Sequence, residues 1–387
     1  MPEVHAKLSA SGSSRWLNCP GSVMLEEGFP DTSSPYAQEG TLAHAIGELK
    51  LKKYFTKEFG ADKYKKELEQ LKAQELFTKE MDSYTDEYFY YVRELALSFE
   101  DLPYVSVEER VDFSKWVPDG FGTCDCILIF GTDMHIIDLK YGKGVPVSPV
   151  SNSQLMLYAL GAYNSYGDIY SIETITMHIV QPRVDNTDRY SMVLSDLLAW
   201  GEGVKVIAKK AYNGCEEFSL GEHCRFCKAK SRCPERAKEL FKSVEKLKPI
   251  MDSDIGLISN DDISRYLKES TGLIDWIKGL EEEALASILK GEEIPGYKAV
   301  EGRSIRKFKD ADKAISLLEG AGYDEAVLYE RKPLSLSKLE KLVGKKEFES
   351  VLGTEVIKPQ GKPTLVPESD KRDPYVKDLG FENLENI

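Results

Sequence analysis

The sequence predicts a mixed α/β domain followed by a smaller C-terminal appendage, and three observations carry that reading. Apolar residues recur at helical spacing before residue 100, a period-two pattern begins at Tyr104, and helix and strand patterns then alternate through Ala211. At 387 residues, with 42% hydrophobic and 30% charged side chains, the chain is long enough to bury a sizeable core and to divide in two.

The first segment reads as a loop, a short helix around Trp16, a turn, and an amphipathic helix over 40–55 carrying Leu42, Ala45, Ile46, Leu49 and Tyr54. Residues 61–100 interleave Leu68, Leu71, Leu76, Tyr84, Tyr88, Tyr91 and Leu95 with Lys, Glu and Gln, the pattern of helices that cover a core. Val105, Val107 and Val111 then alternate with polar residues. Runs from Cys124 to Phe130 and His135 to Leu139 follow, bounded by Gly or Asp turns, so the region predicts a strand meander. Residues 152–163 return to helix, 174–181 read as a strand, and 195–211 as a helix leading into a cysteine cluster.

The boundary is expected after residue 248, giving a domain over 1–248 and a helical, small α+β appendage over 249–387. An acidic helical stretch from Ile263 to Leu289 meets Pro295-Gly296, and short elements separated by Gly and Pro follow. Residues 296–372 hold 16 Lys plus Arg against 13 Asp plus Glu, a balance of +3, whereas 1–295 carry −14. The acidic last 15 residues are expected to be loosely held.

With 51 basic and 65 acidic side chains the net charge is −14, which argues against coating nucleic acid by bulk electrostatics but leaves room for a local basic groove. No apolar run approaches the roughly 20 residues needed to cross a bilayer, and the N-terminus lacks an apolar signal segment, so neither membrane insertion nor secretion is expected. Seven cysteines are too few and too uneven for a secreted disulfide scaffold. Three fall within ten residues, which points to a metal site in a reducing, cytoplasmic compartment. No Gly-x-x-x-x-Gly-Lys-Ser/Thr loop is present, so ATP hydrolysis and unwinding are not expected of this chain.

The strongest catalytic signal is Gly122-Thr-Cys-Asp125 followed by Asp138-Leu-Lys140. A hairpin turning between Gly131 and Thr132 sets Asp125 opposite Asp138, and a period of two puts Lys140 on that face with Leu139 on the other. Two carboxylates on one face make a hard oxygen site suited to Mg²⁺ or Mn²⁺, and an adjacent ammonium can orient a water and stabilise charge building on a phosphate. Gln154 and Tyr158, four apart in the next helix, share a face from which they can touch a nucleic-acid backbone or order Lys140. His44 lies in Glu39-Gly-Thr-Leu-Ala-His44, with Glu48 one turn on.

Together these residues resemble the PD-(D/E)XK, or restriction-endonuclease-like, nuclease superfamily in its RecB-like branch, over about residues 10–240. The resemblance implies a mixed central sheet flanked by helices. It also implies metal-binding roles for His44, Asp125, Asp138 and the Leu139 carbonyl, a catalytic role for Lys140, and a supporting Gln-x-x-x-Tyr helix at Gln154 and Tyr158. The four motifs occur in the family's order. One departure is Cys126, which stands where a basic residue often follows the Asp.

Cys224-x2-Cys227-x5-Cys233 forms a soft site that favours Zn²⁺ or an iron–sulfur cluster. A fourth ligand is required, and His223 is the local candidate, which would give a Zn Cys₃His site. Resemblance to AddB-type helicase-nucleases and the iron–sulfur nucleases of CRISPR adaptation implies Cys19 of Cys19-Pro20 instead. A [4Fe–4S] cluster would then staple the two ends of the domain, with Zn²⁺ as the alternative occupant. Cys124, Cys126 and Cys215 read as small buried hydrophobes.

Lys205, Lys209, Lys210, Arg225, Lys228, Lys230 and Arg232 make the densest basic stretch, readable as a solvated surface or as a rim that tracks phosphates. In the appendage, Arg303, Arg306, Lys307 and Lys309 are either DNA contacts or exposed charges, and the segments over 295–303 and 358–372 resemble an uncharacterised family encoded largely in phages and prophages.

The expectation is therefore a Mg/Mn-dependent deoxyribonuclease, exonuclease in preference to endonuclease, acting on single strands or ends. By the resemblance it would serve phage replication, recombination or end processing beside a phage recombination or replication protein, in the bacterial host cytoplasm. The rival is a non-catalytic DNA-binding or scaffold protein that keeps the nuclease fold and the staple.

Overall fold

The computed structural model describes residues 6–29, 35–57, 59–251, 260–300, 313, 317, 344–352 and 356. The chain separates into two compact units, 1–299 and 300–387. The division falls after Ala299, so the helix over 260–289, expected to open the appendage, is counted with the first unit. In the second unit, α10 (Lys345–Leu352) buries Phe348. Arg303, Arg306, Lys307, Lys309 and the segment 358–372 lie outside the described residues.

The first unit opens with two short helices, α1 (Ser13–Asn18) and α2 (Ser22–Glu26), then three longer ones, α3 (Pro35–Phe55), α4 (Ala61–Lys72) and α5 (Lys79–Leu97). Thr78 caps α5 by accepting from the Met81 amide, with Glu80 and Asp82 in the first turn to favour the helix dipole. Buried Lys50 ties α3 to α5 by donating to Asp82 Oδ1, the Asp82 carbonyl and Thr85 Oγ1, and pairs with Asp86 at 2.7 Å. A buried ammonium is tolerated because these oxygens satisfy it.

Five strands follow: β1 (Tyr104–Asp112), β2 (Phe121–Phe130), β3 (Asp133–Leu139), β4 (Thr174–Gln181) and β5 (Asn186–Val193). They form one mixed sheet in sequence order. All neighbours are antiparallel except β3 and β4, which run parallel. Parallel strands need a long crossover, and α6 (Ser153–Tyr166) lies within this one. Helices α7 (Leu194–Asn213), α8 (Pro234–Met251) and α9 (Asn260–Leu289) complete the unit.

Helices cover both faces, which is why β3 and β4 are buried almost without interruption. On one face Ile127, Ile129, Ile136, Ile175, Met177 and Ile179 pack with residues of α6 and α7 and with Trp16. On the other, Leu128, Ile137, Leu139 and Val180 pack with Leu51 of α3 and with Tyr88, Val92 and Ala96 of α5.

β5 was not anticipated, because its Thr187, Asp188 and Arg189 are exposed edge residues with no apolar alternation to report them. Among the described residues no helix is long and apolar enough to cross a membrane.

Candidate active site

The site is built where β2 and β3 leave their ladder. The hairpin turns through Gly131 at φ +59°, and Cys126 pairs with Ile137, so the register is the expected one. The ladder stops there, and Asp125 and Asp138 occupy the next positions. Past that point the chain departs from strict alternation. Cys124 lies in the α6-side core and Cys126 in the α5-side core, although two residues apart should share a face. The strand turns over at Asp125, and the residue opposite it in β1 is left-handed. Glu108 of β1 adopts φ +55°, while Val107–Cys126 and Glu109–Cys124 keep one register on either side.

Asp125 Oδ2 accepts from the Leu139 amide at 2.7 Å and faces His44 Nε2 of α3 at 3.3 Å. The other ring nitrogen of His44, Nδ1, lies 2.9 Å from the Gly40 carbonyl, which can only accept, so Nδ1 carries a proton. When His44 is neutral its lone pair therefore sits on Nε2, aimed at the carboxylates, as a metal ligand requires. Lys140 Nζ lies 2.9 Å from Asp138 Oδ2 and donates to Gln154 Oε1 at 2.9 Å. Gln154 Nε2 reaches Asp138 Oδ1 at 3.3 Å and the Tyr158 hydroxyl at 3.1 Å. Tyr158 in turn lies over Gly122, where a Cβ would come within 2.7 Å of its ring. That contact accounts for the glycine three residues before Asp125.

Electrostatics separate the two carboxyls. Burial works to raise Asp125, but the charge and hydrogen bond of His44, the Leu139 amide and Lys140 hold it below the ordinary carboxylate range. Asp138 is pushed up, by burial first and by the Asp125 charge, against Lys140. Burial opposes protonation of His44, yet Asp125, the Gly40 carbonyl and Asp138 raise it to about 10. Burial and the Asp125 charge both disfavour the ionised form of Asp138, and a divalent cation bound beside it would favour that form.

The oxygen atoms are of the type such an ion takes. Asp138 Oδ2 is buried without an aligned hydrogen bond, its contact to Lys140 being an ion pair. Asp125 Oδ1 takes no hydrogen bond among the described residues. Two hard oxygens beside one imidazole nitrogen suit Mg²⁺ or Mn²⁺ better than soft metals. As they stand, no three His, Cys, Asp or Glu side chains among the described residues are gathered tightly enough to hold an ion.

Cys19, Cys224, Cys227 and Cys233 line one cavity of about 20 Å³, together with Arg15 and His223. Several bonds hold the two chain segments around it. The Gly21 amide donates to the Glu217 carbonyl at 2.9 Å, the Lys228 amide to Glu26 Oε1 at 2.8 Å, and Ser219 Oγ to the Asn18 carbonyl. Burial raises the Cys19 thiol, and burial with the Glu26 charge pushes Cys227 up to about 12. His223 Nε2 lies 3.0 Å from the Ser219 carbonyl. Four thiols lining one cavity are the donor type a soft site takes, although they do not stand close enough, as placed, to hold an ion.

A family profile with the description "Protein of unknown function (DUF2800)" matches residues 5–373. The chain belongs to the DUF2800 family. A solved structure titled "Crystal structure of SSO0001" is similar at 14% identity over 55% of this chain and 93% of that one, with a TM-score of 0.23.

In this DUF2800 chain the structure brings His44, Asp125, Leu139, Asp138, Lys140, Gln154 and Tyr158 together, and separately gathers the four cysteines. The basic stretch is less open than its sequence implies. Lys205 pairs with Glu202, Lys210 with Glu217, and Arg232 with Glu283 and Ser287. Cys124 and Cys126 are buried thiols held in the protonated form, by burial first and then by the Asp125 charge.

One residue escaped the sequence reading. Burial, the Asp125 charge and Glu48 raise the Glu108 carboxyl to about 8, against His44 and Lys52. The available signal was the Glu108-Glu109-Arg110 run, three charges in succession inside a strand otherwise built on valines.

Proposed function

We propose that this DUF2800 chain is a divalent-metal-dependent deoxyribonuclease, acting as an exonuclease on single strands or ends. One observation carries the reading: six side chains from α3, β2, the end of β3 and α6 form two runs of contacts, His44–Asp125 and Asp138–Lys140–Gln154–Tyr158, at adjacent strand ends. Mg²⁺ or Mn²⁺, when bound, would polarise a phosphate and lower the pKa of an attacking water.

The chain's own residues do the rest. Asp125, Asp138 and the Nε2 of neutral His44 would hold the ion, with the Leu139 carbonyl as a further oxygen ligand. Lys140, kept within 2.9 Å of both Asp138 and Gln154, is directed to stabilise charge on the phosphate and to orient water. Tyr158 and Gln154 fix that ammonium, and a fixed donor at a developing charge is worth far more than a mobile one.

In the same proposal, Cys19, Cys224, Cys227 and Cys233 hold a [4Fe–4S] cluster, with Zn²⁺ as the alternative, joining the residue after α1 to the loop before α8. The convergence of these four thiols on one cavity supports that reading. The cluster is structural here, cross-linking distant segments as a disulfide would.

The test is a nuclease assay on labelled single- and double-stranded DNA with Mg²⁺ or Mn²⁺, using anaerobically purified wild type beside Lys140→Ala. Cutting by wild type alone, with DNA binding kept in the variant, supports the proposal. Silence from both preparations, with a visible absorption band showing an intact cluster, overturns it and returns the non-catalytic scaffold reading.

A further inference from the structure

Directly after Lys140 the chain leaves the sheet through Tyr141-Gly-Lys-Gly-Val-Pro-Val147, and polar side chains from three places fix this loop. Gln181, the last residue of β4 and only 2% exposed, donates through Nε2 to the Gly142 carbonyl at 3.1 Å and the Val145 carbonyl at 3.4 Å. Its Oε1 accepts from the Val147 amide at 3.0 Å and from Asn186 Nδ2 at 3.1 Å, and Asn186 Nδ2 also reaches the Val147 carbonyl at 3.0 Å. Arg183 donates to the Tyr141 carbonyl at 3.3 Å, lies over the Tyr141 ring at 4.4 Å, and pairs with Glu39 at 3.0 Å. Glu39 is on α3, the helix that carries His44.

This is a costly way to hold a surface loop. Gln181 and Arg183 are both withdrawn from water, and their hydrogen bonds go to loop backbone rather than to core. What the clamp leaves outside is Gly142, Lys143, Gly144 and Val145, all exposed. A Cβ at Gly142 or Gly144 would meet nothing within 4 Å, so neither glycine is there to relieve packing inside the protein. Lys143 makes no hydrogen bond or ion pair with the described residues. A lone ammonium between two unencumbered glycines, three residues from Lys140, lets both a cation and bare backbone approach a ligand closely.

We infer that the clamped loop 141–147 is a preformed cradle for the sugar–phosphate backbone of the substrate strand, with Lys143 neutralising a phosphate next to the one presented to Lys140. Gln181, Asn186 and Arg183 act as positioning residues. This rests on the nuclease proposal and adds to it a substrate requirement: the ligand must carry at least one phosphate beyond the scissile one. A single-phosphate diester engages the carboxylates and Lys140 but does not reach the cradle.

The experiment compares wild type, Lys143→Ala and Gln181→Leu on a labelled single-stranded oligonucleotide and on bis(4-nitrophenyl) phosphate. Loss of one phosphate contact is worth roughly fourfold in affinity at 0.15 M salt, from a slope of about −0.7 per neutralised phosphate on single strands. Lys143→Ala is therefore expected to raise KM for the oligonucleotide about fourfold with kcat unchanged, and to leave the small diester's turnover unaltered. Placed in the Lys140→Ala background, it should make the slope of log K against log salt shallower by about 0.7. Gln181→Leu should reproduce the KM effect, and Lys143→Ala should add nothing to it.

An unchanged KM and salt slope in Lys143→Ala, with wild type cutting the oligonucleotide, overturns the cradle and leaves the nuclease proposal standing. Equal loss on both substrates overturns it too, since the residue would then serve the reacting centre. Wild type that neither cuts nor binds DNA removes both.

Discussion

The amide of Leu139 donates to Asp125 Oδ2 at 2.7 Å, past the last paired positions of β2 and β3. The same oxygen faces His44 Nε2, so one carboxylate oxygen is committed to fixing the site while Oδ1 takes no hydrogen bond among the described residues. Asp125→Asn keeps the shape but loses the charge that holds His44 protonated and draws a cation. We expect cutting to fall by at least about a hundredfold while the protein remains folded, measured by rate and by circular dichroism.

Binding of a divalent ion should expel a proton. His44, raised to about 10, is protonated at pH 7, and an imidazolium cannot ligate. Calorimetric titration of Mn²⁺ in two buffers of different ionisation enthalpy should report release of about one proton per ion, and His44→Asn should abolish that release. Metal affinity should accordingly rise with pH between 6 and 9. A buffer-independent enthalpy would show that His44 is not displaced from its proton.

Gln154 joins Lys140 to Tyr158, and its removal frees the ammonium. Gln154→Leu is expected to lower kcat roughly ten- to a hundredfold, the usual cost of losing a group that orients a site, with oligonucleotide binding little changed. A fall in binding with kcat preserved would assign Gln154 to substrate contact instead.

Gly122→Ala would bring its Cβ to 2.7 Å from the Tyr158 ring, which is buried and cannot retreat. Overpacking of this kind costs about 1–3 kcal/mol, several degrees in melting temperature for a unit of this size. Pairing it with Tyr158→Leu should restore part of the loss. A fully additive double variant would show that the two sites do not meet.

A separate titration governs acid stability. Tyr91, His178 and His135 form a buried hydrogen-bonded row at 2.8 and 3.0 Å, with Arg189, Asp188 and Asp133 as the charges around it. Burial, then His135 and Arg189, lower His178 to about 3, and burial lowers His135. Their folded values lie below the unfolded value of about 6.5, so the stability they allow is full above pH 6.5 and is lost as pH falls toward 3. The melting temperature should drop across that window in wild type and less steeply in His178→Gln.

The site was legible because its spacing is local. Register through Gly131 brings Asp125 toward Asp138, and a helical turn brings Gln154 to Tyr158, both short-range rules. The reversal at Asp125 was not legible, since it goes with a left-handed residue, Glu108, in another strand. β5 escaped because an edge strand need not alternate. The clamp on the loop escaped as well: Gln181, Arg183 and Asn186 are ordinary polar residues until β4 carries them beside residues some forty positions earlier.

The bond from Ser219 to the Asn18 carbonyl spans 201 residues of chain. At roughly 5–20 residues per second, a ribosome needs on the order of 10–40 s to make that stretch. Throughout that interval Cys19 waits as a bare thiol, its companions not yet translated. If the proposed cluster occupies this cavity, it can be completed only once Cys233 has emerged and α1 has come back to the loop that carries Ser219.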